Sequence, residues 1–230
     1  MGLKKLVIAI DGPAASGKST TARRAAALLG YLHVDTGAMY RAAALKVLRT
    51  GTSPDDPERV SQVVEDARIV LQRRDDGLHV TLDGEDVTDE IRTPAVTRVV
   101  SAVSAMRRVR DVMVREQRAL GAGGGIVLEG RDIGTVVFPD ADLKFFLVAG
   151  IDARARRRQE ELRARGVTVS IAAVKEELGE RDRLDSTRDE SPLRKADDAI
   201  ELDTSALTID QQVAAVVATA HRVMGEREKK

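Results

Sequence analysis

GPAASGKS, residues 12–19, is the stretch that decides how this chain folds. It fits Gly-x4-Gly-Lys-Ser, a loop whose backbone N–H groups cradle phosphate. Ahead of it runs a short apolar segment, Leu6-Val7-Ile8-Ala9-Ile10, and behind it an Ala- and Arg-rich helical segment from Lys18 to about residue 29. Strand, glycine loop and helix in that order are the context the motif needs. Gly12 and Gly17 let the backbone close around an anion, and the helix N-terminus adds its positive end. Lys18 is placed to reach β- and γ-phosphates and Ser19 to put a hydroxyl on Mg(II). A chance match in a chain of this length has odds on the order of one in a hundred.

The rest of the chain alternates in the same way. Apolar strands are read at 32–34, 126–128, 143–148 and 199–202. Helices are read at about 36–49, 58–67, 94–120 (broken near Met106), 152–165, 170–182 and 209–224. Alternation with a phosphate loop after the first strand predicts an α/β fold with a doubly wound parallel five-stranded sheet. Residues 68–92 differ. Asp76-Gly77 and Asp83-Gly84 are hairpin turn signals, and Leu78, Val80 and Leu82 alternate between them. That predicts a small antiparallel β insertion. The expected organisation is one domain over 1–230. Its core is about 1–60, 94–150 and 187–225, with an insertion at about 61–93 and a helical lid at about 152–167.

Composition removes several function classes. Of the 230 residues, 43% are hydrophobic and 32% charged, a globular balance. Lys plus Arg equals Asp plus Glu at 37 each, so no global field draws nucleic acid or membrane. The chain has no Cys, hence no thiolate chemistry, and its apolar runs are too short for a signal peptide or a membrane span. A cytoplasmic protein is expected. His33, His79 and His221 have no metal-ligand spacing and read as structural.

Ligands of such a sheet gather at the carboxyl ends of its strands. The segments expected there are GPAASGKS, DTGAMYR (35–41), EGRDIGT (129–135) and the DTS turn (203–205). Two carry Arg beside a carboxylate, Asp35 with Arg41 and Arg131 with Asp132. ERDRLDSTRDES (180–191) adds Arg181, Asp185 and Arg188 at spacings of four and three, which share one face if the helix continues. Arg forks recognise phosphate and carboxylates accept from exocyclic amines or ribose, so a phosphorylated nucleoside is one reading. A salt-bridged solvated face is the other. The basic helix holding Arg154, Arg156, Arg157, Arg158, Arg163 and Arg165 reads as a lid over a nucleotide or as a solvated helix paired with Glu160 and Glu161.

Five segments together resemble the bacterial cytidylate kinases of the nucleoside monophosphate kinase group. They are IDGPAASGKST (10–20), DTGAMYR (35–41), GEDVTDEIRT (84–93), EGRDIGTVVFPDA (129–141) and ERDRLDSTR (180–188). The resemblance implies phosphoryl transfer from ATP to CMP or dCMP with Mg(II), by a monomer. It implies that Gly12, Pro13, Ala14, Ala15, Ser16, Gly17, Lys18, Ser19 and Thr20 hold ATP, with Ser19 on the metal and Arg157 in the lid. It implies that Thr36, Arg41, Ser101, Arg110, Arg131, Asp132, Arg181, Asp185 and Arg188 hold CMP. In this assignment Lys18, Arg131 and Asp132 act directly in the reaction, and Ser101, Arg110 and Asp132 read cytosine. The chain departs from the family pattern at Thr36, where Ser is usual, and at Glu129, where Asp is usual. A kinase for UMP, AMP or shikimate remains open from the phosphate loop alone. So does a GTP-dependent switch, for which Arg194-Lys195-Ala196-Asp197 is a poor match to a guanine-reading motif.

Overall fold

The computed structural model describes residues 5–74, 77–164 and 166–228. The hairpin signal at Asp76 and the basic residue Arg165 lie outside them. In chain order the elements are β1 (Val7–Asp11), α1 (Lys18–Leu29), β2 (Leu32–Asp35), α2 (Thr36–Arg49), α3 (Pro57–Glu65), β3 (Ile69–Arg74), β4 (Gly77–Leu82) and β5 (Glu85–Asp86). Then come α4 (Pro94–Ala105), α5 (Arg107–Gly121), β6 (Ile126–Gly130), β7 (Leu143–Val148), α6 (Ile151–Ala164), α7 (Ile171–Thr187), β8 (Ile200–Asp203) and α8 (Ile209–Glu228).

The main sheet has five parallel strands in the order β2-β6-β1-β7-β8, with the first strand at its centre. The order reverses beside β1, which is where open α/β sheets bind ligands. β1 pairs with β6 through Val7–Ile126 to Asp11–Gly130, and with β7 through Ile8–Leu143 to Asp11–Phe146. All five residues of β1 and of β6 are buried, as central parallel strands covered on both faces require. One face packs on α1 and α8 through Leu6, Ile8, Ile10, Ala22, Val127, Phe145 and Val216. Tyr31 joins this core, donating its hydroxyl to Met224 Sδ at 3.5 Å and accepting from Leu6 N at 3.1 Å.

The chain divides into two compact units, one made of the segments before Asp35 and after Leu120, the other Asp35–Leu120. The second contains the three-stranded antiparallel sheet β3-β4-β5, as the turn signals predicted. Asp83 and Gly84 both take positive φ, 53° and 92°, the double left-handed turn that suits a tight hairpin. The β4–β5 register closes around them with Leu82 opposite Glu85.

Several element boundaries differ from the sequence reading. α7 continues past residue 182 to Thr187, α8 continues past 224 to Glu228, and Glu129-Gly130 belong to a strand instead of a loop. Among the described residues no helix is long and apolar enough to cross a membrane.

Candidate active site

The site begins at the end of β1, where the chain leaves the sheet and turns into α1. Gly12 has φ +145° and lies so close to β7 that a Cβ would sit 2.1 Å from Leu147 O, so only glycine fits. Gly17 ends the loop at φ +95° as the cap residue of α1, where it brings no side chain to the first helical N–H groups. Ala15 is also left-handed, with φ 59°, which costs a non-glycine residue about 1–2 kcal/mol. Alternating right- and left-handed residues point successive N–H groups into one anion-binding concavity. The Ser16 hydroxyl is buried in this loop with no protein hydrogen-bond partner.

Two braces hold the loop from behind. Gln212 of α8, fully buried, accepts from Thr21 Oγ1 at 2.9 Å and would collide with any side chain at Gly17. Thr204, in the DTS turn after β8, donates to Ser16 O at 2.8 Å. The DTS turn was expected at this edge from sequence, but Gln212 was not, because its contact links segments 191 residues apart.

Lys18 folds back over the loop and donates to Pro13 O at 2.6 Å. Only 5% of the residue is exposed. Burial, with Arg131 and Arg181 nearby, pushes its ammonium down to about 7 against the opposing pull of Glu129 and Asp11. Asp11 is buried on the other side of the loop, where it accepts from Ile133 N at 2.8 Å and Gly134 N at 2.7 Å. Burial pushes its carboxyl up to about 6 in spite of these bonds. Asp11 thereby anchors the turn that follows β6 to the strand that precedes the phosphate loop.

The pleat of the sheet explains the next contact. Val127 and Tyr31 both face the α1 side, and two residues further along, Glu129 and His33 return to that side. The first turn of α1 lies there. Ser19 Oγ donates to Glu129 Oε2 at 2.5 Å, and His33 Nε2 lies 3.0 Å from Glu129 Oε1. His33, read from sequence as structural, thus touches the carboxylate beside Ser19. The signal that could have found it is an apolar strand with one His at the ligand edge.

Beyond β6 arginine–carboxylate pairs form between segments, with other partners than the neighbours noted in the sequence. Arg131 Nε donates to Asp185 Oδ2 of α7 at 2.7 Å. Arg188 Nη2 lies 3.9 Å from Asp132 Oδ1. Arg131, with Arg181 and Arg188 adding to it, holds the buried Asp185 carboxyl below the usual range against the upward push of burial. Arg181 and Asp185 share the α7 face, as their spacing predicts. Arg188 does not: α7 ends at Thr187, and Arg188 caps it with extended backbone, donating Nε–H to Ser191 O at 2.8 Å.

In the basic helix α6 it is Arg154 that reaches the phosphate loop. It is 6% exposed and donates to Ala14 O at 3.2 Å and to both carboxylate oxygens of Asp182 at 3.0 and 2.6 Å. Ala155, Val174, Leu178 and Ala14 form a small apolar cluster around it. Arg157 binds Thr204, its Nη2 donating to the backbone oxygen at 2.5 Å. Arg158 pairs with Glu161 at 3.1 Å on the surface.

The remaining predicted residues lie in the second unit. Asp35, not Thr36, caps α2, accepting from Ala38 N at 3.0 Å, and Thr36 is buried in the first turn. Arg41 donates to Thr97 Oγ1 at 3.1 Å. Arg110 is buried, donates to Ser104 O at 3.2 Å and lies over the Tyr40 ring at 5.5 Å. Ser101 is half-buried on α4, one turn before Ser104.

Among the described residues no cluster of three or more His, Cys, Asp or Glu could hold a metal ion alone. Ser19 and Glu129 nevertheless offer two adjacent oxygens of the kind that Mg(II) takes when nucleotide phosphates and water complete its shell. The donor set therefore fits that ion.

Comparison with known proteins gives the family. A family model described as Cytidylate kinase matches residues 8–222. A cytidylate kinase of Geobacter sulfurreducens is 46% identical over 228 residues, covering 99% of this chain and 96% of that one. One from Bacillus pumilus is 49% identical, covering 96% and 98%, and one from Caldanaerobacter subterraneus is 51% identical, covering 91% and 92%. With a phosphate loop, paired arginines and this degree of likeness over nearly its whole length, the chain belongs to the cytidylate kinase family.

Proposed function

We infer that the site brings two anionic nucleotides end to end. The reaction of the family is transfer of the γ-phosphoryl group of ATP to CMP or dCMP, giving ADP and CDP or dCDP. What supports this reading is a phosphate loop that ends in a buried Lys18 at the end of β1, with Arg131, oriented by Asp185, at the end of the neighbouring strand β6.

The roles proposed for the residues are those that the resemblance to the family implies. Residues 12–20 hold the ATP phosphates through backbone N–H groups, and Lys18 follows the transferring phosphoryl. Arg131 grips the acceptor phosphate, with Asp185 fixing the plane of its guanidinium. Asp132 reads the cytosine amine, and Arg188 steadies Asp132. Arg181 and Asp185 hold the ribose, and Arg157 faces the ATP side. The CMP-binding roles proposed for Thr36, Arg41, Ser101 and Arg110, in the second unit, rest on the family match alone. Ser19 and Glu129 would hold Mg(II), which supplies charge neutralisation at the β- and γ-phosphates when bound.

No general base is needed. An acceptor phosphate oxygen is already anionic, so it attacks the γ-phosphorus as the bridging P–O bond breaks and its electron pair leaves on ADP. The protein aligns the two and neutralises charge. We propose a single copy of the chain in the cytoplasm as the working unit, with the segment at about 152–167, most of it α6, as the lid.

The test is a coupled ADP-release assay with Mg-ATP offering CMP, dCMP, UMP, AMP and shikimate. Turnover concentrated on CMP and dCMP is expected. Faster turnover with any of the other three would displace the acceptor assignment. Guanine-nucleotide binding without CMP turnover would revive the switch reading.

A further inference from the structure

The contact of His33 with Glu129 has no part in the scheme above. We propose that His33 is a positioning residue: it holds the Glu129 carboxylate against Ser19 and so sets how tightly the divalent cation accompanying ATP is bound. The inference rests on the placement of that cation at Ser19 and Glu129.

A glutamate has three side-chain torsions, and a buried carboxylate with one free oxygen would swing among several rotamers. Here both oxygens are tied, Oε2 by the Ser19 hydroxyl at 2.5 Å and Oε1 by His33 Nε2 at 3.0 Å. The second tie comes from a ring with only two torsions, on a strand of the same sheet. The side chains of His33 and Glu129 are 12% and 4% exposed, so water has little access to replace either partner. An ionised carboxylate only accepts, which puts a proton on His33 Nε2. The carboxylate beside Ser19 is therefore held in one orientation by a partner on each oxygen. Without His33, Oε1 loses this partner, and the carboxylate is less firmly held against Ser19.

The experiment compares His33→Leu, which removes the donor, with His33→Gln, which keeps an N–H on a side chain of similar reach. Mn(II) binding to the protein–ATP complex is measured by electron paramagnetic resonance, alongside the Mg(II) concentration for half-maximal rate and KM for CMP. His33→Leu should weaken Mn(II) binding and raise the Mg(II) requirement about tenfold, the usual scale for a lost partner of a metal ligand. KM for CMP should stay within about twofold, and His33→Gln should recover most of the loss. In a Glu129→Ala background, His33→Leu should add nothing.

Unchanged Mn(II) affinity in His33→Leu, a loss that His33→Gln fails to reverse, or a further loss in the Glu129→Ala background would each overturn the proposal. If the wild-type protein fails to use CMP while His33→Leu still weakens Mn(II) in the ATP complex, the acceptor assignment falls and the role of His33 stands. If wild type binds no Mn(II) with ATP, the cation placement falls and the role of His33 falls with it.

Discussion

Lys18 carries its charge where the fold supports it least. Its folded pKa of about 7 lies below the ordinary 10.5, so between these values the unfolded chain holds more protons. Stability of the ligand-free protein therefore rises with pH through that window, and below it the full cost of burying the ammonium is present. Lys18→Met removes that cost. It should stabilise the ligand-free protein at neutral pH by about 1–4 kcal/mol while lowering turnover by on the order of 10²–10³-fold or more. Thermal denaturation and the ADP-release assay together check it. A destabilised variant would mean that Lys18 is held by its bond to Pro13 O more than it is strained by its surroundings. The same depression predicts proton uptake. At pH 8 the free lysine is mostly neutral, and ATP phosphates favour the ammonium. ATP binding should then take up close to one proton, a value that declines towards pH 6 and is absent in Lys18→Met. Calorimetry in buffers of different ionisation enthalpy measures it. The motif names Lys18, but nothing in eight residues reveals that Arg131 and Arg181 crowd it, because those residues arrive from β6 and α7.

α7 shows how an element can serve the site at two points of its length. Ser170 caps its start, accepting from Ala173 N at 3.2 Å. Asp182 locks Arg154 of α6 against the phosphate loop, and Asp185, less than one turn on, locks Arg131. Asp185→Ala leaves the Arg131 fork without its orienting partner. It should raise KM for CMP about tenfold or more, the scale of a lost hydrogen bond to a charged group, with ATP affinity little changed. Equal loss of both would place Asp185 outside acceptor binding. Arg154→Ala strands Asp182 and frees Ala14 O. Asp182 keeps some solvent, so the expected cost is about 1–3 kcal/mol, read as a lower Tm together with weaker ATP binding. The helix itself was legible from its pattern, and so was the shared face of Arg181 and Asp185. Its last turn was not. Leu184 is exposed and Ser186 and Thr187 are indifferent helix formers, so the turn forms because Asp185 is held by Arg131, which no local pattern announces. Arg154 was equally hidden. The five arginines of α6 look alike until packing buries one of them.

At the scale of the molecule, the fold was legible because its evidence is repeated. Alternating apolar strands and helices, a glycine loop after the first strand and two Asp-Gly turns each state a local preference that the whole chain honours. The division into two units was less legible. Its boundary falls within Val34-Asp35, where β2 runs straight into α2 with no linker composition to mark it. The partnership of His33 and Glu129 was illegible for a third reason, being a contact between residues 96 positions apart on different strands. The phosphate loop belongs to the unit that also holds Tyr31. Saturating that unit with Mg-ATP at a hundred times Kd should therefore raise its stability by about 2.7 kcal/mol. An unchanged melting midpoint would show that nucleotide is not held there.

That last measurement is easier in this protein than in most. The chain has no tryptophan and two tyrosines, and the fold puts Tyr31 in one unit and Tyr40 in the other. Tyr31 sits against the sulfur of Met224, and Tyr40 beneath the guanidinium of Arg110, so their emission should differ in yield as folded and converge on unfolding. Replacing either by Phe leaves a single fluorophore, with no added dye and no cysteine to label. Each half of the enzyme then reports on itself.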